Sequence, residues 1–125
     1  MKKTIYTTNA PAPIGPYSQA VQTGNLLFIS GQIAINPETG ELVSETIAGE
    51  TKQVMENISA VLSEAGYTFS EVIKSTIFLS DMSLFNSVNE VYGTYFTADF
   101  PARETVAVAG LPKSVNVEIS VIASK

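Results

Sequence analysis

From Thr46 to Ala65 the apolar residues Ile47, Val54, Met55, Ile58, Val61, Leu62 and Ala65 recur at helical spacing, with Glu50, Lys52, Gln53, Glu56 and Glu64 off that stripe. The pattern predicts an amphipathic helix closed by Gly66 at the C′ position. A second helix is expected through Phe96 with Ser83 as N-cap, carrying Leu84, Val88, Val91, Tyr92, Tyr95 and Phe96 on one side. Strands are expected at Thr4 to Thr8, around Tyr17 to Gln22, at Leu26 to Ile35, Val72 to Ser80, Glu104 to Ala109 and Val115 to Ala123, where β-branched and bulky apolar residues dominate. Ser30-Gly31 interrupts the third of these, and a glycine inside a strand often marks a bulge or a close backbone approach. Asn36-Pro37-Glu38-Thr39-Gly40 and Gly110-Leu111-Pro112-Lys113-Ser114 read as turns, and Asn9 to Pro16, with three prolines and a glycine, as an ordered loop.

The order implies a single domain, a six-stranded sheet with both helices on one face. The other face is left partly bare. In the last strand Val115, Val117, Ile119 and Val121 share one side while Asn116, Glu118, Ser120 and Ile122 share the other, so neither side is purely solvated. A cyclic oligomer would cover the bare face.

The 125 residues fit one compact domain, and 45% apolar with 15% charged residues is the balance of a folded chain. The formal net charge of −5 and the scattered lysines argue against a nucleic-acid partner. Histidine, cysteine and tryptophan are absent, which removes disulfides, thiolate nucleophiles, Cys/His zinc sites and Ser-His or Cys-His pairs. No paired-carboxylate spacing suggests a metal site, and no cofactor motif is present. Met1 to Ile14 has a basic start without an apolar stretch behind it, and no window reaches the roughly eighteen apolar residues of a membrane span. A soluble cytoplasmic protein is expected.

Chemistry must then come from a few residues. Arg103, the one arginine, follows a proline turn at a strand entry, where a rigid guanidinium fork suits a carboxylate or phosphate. The alternative is a surface arginine paired with Glu104 or another acid. Glu118 sits in an apolar strand, where partial burial would raise its pKa toward the range useful for proton transfer, unless it simply faces solvent. Tyr17, Ser30 and Gly31 can offer hydroxyls and a backbone N–H to a ligand, though such residues more often pack or turn. Asn89 and Tyr92, three apart on the second helix, can reach over the same sheet edge. Glu38, Glu41, Glu45, Glu50, Glu56, Glu64, Glu71 and Glu90 read as helix and loop surface.

Together, Ile14-Gly15-Pro16-Tyr17-Ser18-Gln19-Ala20, Phe28-Ile29-Ser30-Gly31-Gln32, Val88-Asn89-Glu90-Val91-Tyr92, Phe100-Pro101-Ala102-Arg103 and Val117-Glu118-Ile119 resemble the RidA (YjgF) family of reactive-intermediate deaminases. The resemblance runs from the first strand to the last. It implies a chorismate-mutase-like α+β fold with a six-stranded mixed sheet, a homotrimer whose sheets form a central barrel, and sites between subunits. It also implies hydrolysis of 2-iminobutanoate and 2-iminopropanoate, released by pyridoxal-phosphate dehydratases acting on threonine and serine, to 2-keto acids and ammonia. By the same resemblance Arg103 holds the substrate carboxylate, Glu118 serves water and proton transfer, and Tyr17, Ser30, Gly31 and Asn89 wall the pocket. Many relatives carry cysteine where this chain has Thr105, which excludes any thiol-dependent property; if the backbone carbonyl there holds the water, threonine can serve. Two other readings stand beside the enzyme: a trimer that binds small carboxylates or keto acids without turnover, and an RNA-cleaving translation inhibitor, which the acidic balance and lone arginine disfavour.

Overall fold

The computed structural model describes residues 1–125. Its strands are β1 (Lys2–Ile5), β2 (Ala20–Thr23), β3 (Leu26–Gln32), β4 (Val72–Leu79), β5 (Ala102–Ala107) and β6 (Val117–Ser124), and its helices α1 (Ile47–Glu64) and α2 (Phe85–Gly93). One sheet takes the order β1-β2-β3-β6-β4-β5. The β4–β5 pair, linked through α2, is parallel, and every other pair is antiparallel.

Helix α1 forms where its stripe and its ends agree. Thr46 Oγ1 accepts the Gly49 N–H at 3.0 Å, satisfying a donor that would otherwise be orphaned at the first turn. At the other end Gly66 takes φ 80, with its N–H on the Ser63 carbonyl and the Tyr67 N–H on that of Leu62. That is the Schellman arrangement a C′ glycine permits. Val54, Met55, Ile58 and Val61 are fully enclosed against Leu27, Ile77, Val117 and Ile119 from the sheet. Truncating such a side chain to alanine costs about 2–5 kcal/mol.

Several boundaries differ from the sequence reading. The cap ahead of α2 is Asp81, whose Oδ1 accepts the Ser83 N–H at 2.8 Å; a single 3₁₀ turn follows, and α2 then stops at Gly93. Asp81 reaches the donor first, so Ser83 lies inside the turn it was expected to cap. The hydrogen bonds hold the Asp81 carboxyl below its ordinary range. Tyr17 to Gln19 remain in the loop because the Gln19 side chain, 1% exposed, bonds Thr7, Ala10 and Pro11 rather than a neighbouring strand.

The helices lie on one face, and the other is open. Strand registers align Val21, Phe28 and Ile122 across it, and Phe78 with Val106. Phe28 and Val106 are 43% and 46% exposed, an apolar band with no covering element.

Candidate active site

Arg103 is the second residue of β5, and its register partner Ser75 is buried beneath α2. The alternation of strand side chains therefore sends Arg103 to the helix face and Glu104 to the open face. Glu104 pairs there with Lys74 at 3.3 Å, the chain's one ion pair. An Arg103–Glu104 surface pair is thereby overturned. Arg103 instead donates from Nη1 to Asn89 Oδ1 at 2.7 Å, and its guanidinium carbon sits 5.2 Å from the Tyr92 ring centroid and 5.5 Å from that of Phe85. Tyr92 is anchored in turn by its hydroxyl, which donates to Ser75 Oγ at 2.9 Å. Burial raises the Tyr92 phenol pKa, opposed by the Ser75 bond and the Arg103 charge. The result is a half-buried cation, oriented by an amide and two aromatic faces, with no carboxylate beside it. A guanidinium carries five N–H donors, and Asn89 uses one. Asn89, Tyr92, Gly93, Phe100, Pro101 and Arg103 line a cleft around it.

Glu118 belongs to the open face, between buried Val117 and Ile119. The β3–β6 register breaks between Ile29 and Gln32, so the Ser30-Gly31 step swells into a bulge opposite Ser120, two residues along the same face from Glu118. Glu118 lies so close to Gly31 that a Cβ there would collide with the carboxylate oxygen and stand 2.8 Å from Cδ. Ser30 is pinned by its N–H on the Gln19 carbonyl and its hydroxyl on that of Ser18. Tyr17, Ser30, Gly31 and Glu118, with Ile14 and Pro112, line a cleft of about 360 Å³. No protein donor reaches the Glu118 carboxylate, and burial pushes its pKa above the ordinary range. Gly31 has an unremarkable φ, so Gly31→Ala is expected to fold while displacing Glu118. If this cleft carries the hydrolysis that the resemblance implies, turnover falls about 10²-fold, measured beside a matching circular dichroism spectrum. Wild-type rates would contradict the placement.

The two clefts share no lining residue. Arg103 and Glu118 stand on opposite faces of the sheet, with β4 between their strands. Thr105 shares the Arg103 face, paired in register with Ile77, and its hydroxyl is buried without a partner.

A family model described as Endoribonuclease L-PSP matches residues 7–125. The chain belongs to the RidA/YjgF family. It is 47% identical to the mouse protein named 2-iminobutanoate/2-iminopropanoate deaminase, over 98% of this chain and 91% of the relative. A RutC family protein of Pyrococcus horikoshii is 55% identical over 100% of this chain and 99% of its own length. The crystal structure of the E. coli YjgF gene product superposes with a TM-score of 0.94 at 45% identity, covering 98% of each chain. The six-stranded mixed sheet with two helices is the RidA/YjgF fold.

Two residues of this RidA-family chain escaped the sequence reading. Glu50, assigned to the helix surface, is 1% exposed and accepts three hydrogen bonds from Asn116 and Val117. The signal was present: Glu50 stands four residues before Val54 and eight before Ile58, on the buried stripe rather than off it. Gln19 is the other. Its amide is a hub for the proline-rich wall of the Glu118 cleft, which no local pattern could announce.

Proposed function

We propose that the protein hydrolyses 2-imino acids, chiefly 2-iminobutanoate and 2-iminopropanoate, to 2-keto acids and ammonia. The observation that carries this reading is that one chain holds both an uncompensated, oriented guanidinium and a partly buried carboxylate without a protein hydrogen-bond partner. The deaminase names of the mouse and human relatives support it. Arg103 grips the substrate carboxylate bidentately, and Asn89 fixes the fork. Glu118 takes a proton from water as the C–O bond forms at the carbon of the protonated imine, whose C=N π electrons move onto nitrogen to give a carbinolamine. Glu118 then returns its proton to that nitrogen, the C–N bond breaks as the hydroxyl gives its proton to the Glu118 carboxylate to become the keto oxygen, and the departing ammonia carries that proton away as ammonium. A positioned water and one general acid–base, worth about 10²–10⁴-fold, suffice for a reaction of low intrinsic barrier.

Because the two groups lie on opposite faces, the site is completed by a second copy. The apolar band of Phe28, Ile122, Phe78 and Val106 packs against neighbouring sheets in a homotrimer, which brings the Arg103 cleft of one subunit to the Glu118 cleft of the next. Thr105 contributes there through its backbone. Thr105→Val therefore keeps activity within about threefold and does not lower Tm, since it removes a buried hydroxyl that lacks a partner. A larger loss would assign the hydroxyl a role in turnover.

The test couples a threonine dehydratase to the purified protein and follows imine disappearance and ammonia release. No acceleration would remove the deaminase reading and leave the carboxylate-binding one.

A further inference from the structure

We propose that Glu50 is a positioning residue for Glu118, fixing the entry of β6 and the turn that walls the same cleft; the inference rests on the deaminase reading above. Glu50 lies in the first turn of α1. Its Oε2 accepts the backbone N–H groups of Asn116 at 2.8 Å and Val117 at 3.1 Å, and its Oε1 accepts from Asn116 Nδ2 at 3.2 Å. Asn116 is gripped from the other side as well. Its Oδ1 accepts from Ser80 Oγ at 2.8 Å and its carbonyl from the Ser80 N–H at 3.0 Å. One hydrogen-bonded chain thus ties α1, the start of β6 and the segment after β4 together, ending on the residue immediately before Glu118.

On one side the entry pairs with β4 from Val117 onward, but on the other pairing with β3 begins only at Ile119, and Glu50 takes the N–H groups of the two residues ahead of Glu118. Just upstream, Lys113 and Ser114 hold φ 55 and 56, consecutive left-handed conformations that side-chain-bearing residues keep only when their surroundings impose them. Pro112 of the same turn lines the Glu118 cleft. Releasing Glu50 lets this turn relax, moves Pro112 from the cleft wall and frees Glu118 from its seat against Gly31. Water then reaches the carboxylate. Tyr17 is the other titratable side chain lining the cleft, while Gly31 and Gln32 of β3 and Phe78 of β4 set no charge beside Glu118.

The test compares full-length wild type, Glu50→Gln and Glu50→Ala by kcat and KM for 2-iminobutanoate across pH. Independently of turnover, the Glu118 carboxyl is titrated by carbon NMR, its signal assigned by its loss in Glu118→Gln. Glu50→Ala is expected to lose about 10²-fold in kcat with KM within about twofold, and the Glu118 titration with the acidic limb of kcat should move down toward the ordinary carboxylate range. Glu50→Gln keeps an oxygen for the backbone donors and moves both readouts the same way, with kcat down by roughly three- to tenfold. Should Glu50→Ala fail to fold, Glu50→Gln decides alone. A folded variant with lowered Tm but wild-type kcat, pH limb and Glu118 titration would reduce Glu50 to a structural residue and overturn the proposal. If wild type itself does not accelerate imine hydrolysis, the deaminase reading fails separately, and the NMR titration still decides whether Glu50 positions Glu118.

Discussion

Arg103→Ala lowers kcat/KM for 2-iminobutanoate by about 10²–10⁴-fold, the equivalent of two charge-assisted hydrogen bonds at about 1.5–3 kcal/mol each. Arg103→Lys keeps the charge but loses the planar fork and its seat between Asn89, Tyr92 and Phe85, so it recovers about tenfold at most. Neither substitution unfolds the chain, because Arg103 lies on edge strand β5, half-exposed, and bonds a single protein group. Activity and Tm therefore separate, and steady-state kinetics beside a thermal melt reads both. Equal loss of kcat/KM for a substrate analogue lacking the carboxylate would place the arginine's effect elsewhere than on the anion.

Glu118→Gln produces the opposite pairing of effects. Turnover falls by about 10²–10⁴-fold, since the amide cannot exchange the proton, while binding of a 2-keto acid persists. Stability rises at neutral pH. The folded-state pKa of Glu118 is raised by burial, so its contribution to stability is complete below the ordinary carboxylate range and lost as pH climbs through the raised value. Glutamine suffers no such loss, and the Tm advantage of the variant should vanish in acid. A variant less stable than wild type at neutral pH would mean that the carboxylate is held by a favourable partner. Retained turnover would remove Glu118 from the proton transfer.

Much of this was legible in the sequence, for identifiable reasons. The Val54–Leu62 stripe, Gly66 and the alternation in β6 are local patterns that tertiary structure had no cause to override. The bulge at Ser30-Gly31 was equally visible, because a glycine inside a strand has few other uses. Asp81 displaced Ser83 as cap because both are competent and chain direction chose between them. Which face each site residue occupies required the register: Arg103 and Glu118 could be named singly, but their separation across β4 depends on pairing between strands distant in sequence. Glu50 stands on the legible stripe, but its partners, like those of Gln19, were hidden for a related reason, since they lie 66–67 and 8–12 residues away.

The central claim is that Arg103 of one subunit works with Glu118 of another. Two inactive proteins, Arg103→Ala and Glu118→Gln, are denatured together in equal amounts, refolded, and checked for mixed oligomers by native mass spectrometry. Random assembly in a cyclic oligomer gives an intact pair at about a quarter of the interfaces, so roughly a quarter of wild-type activity should return. Mixed oligomers that form and stay inactive would show that both groups must reside in one chain, and would contradict the account.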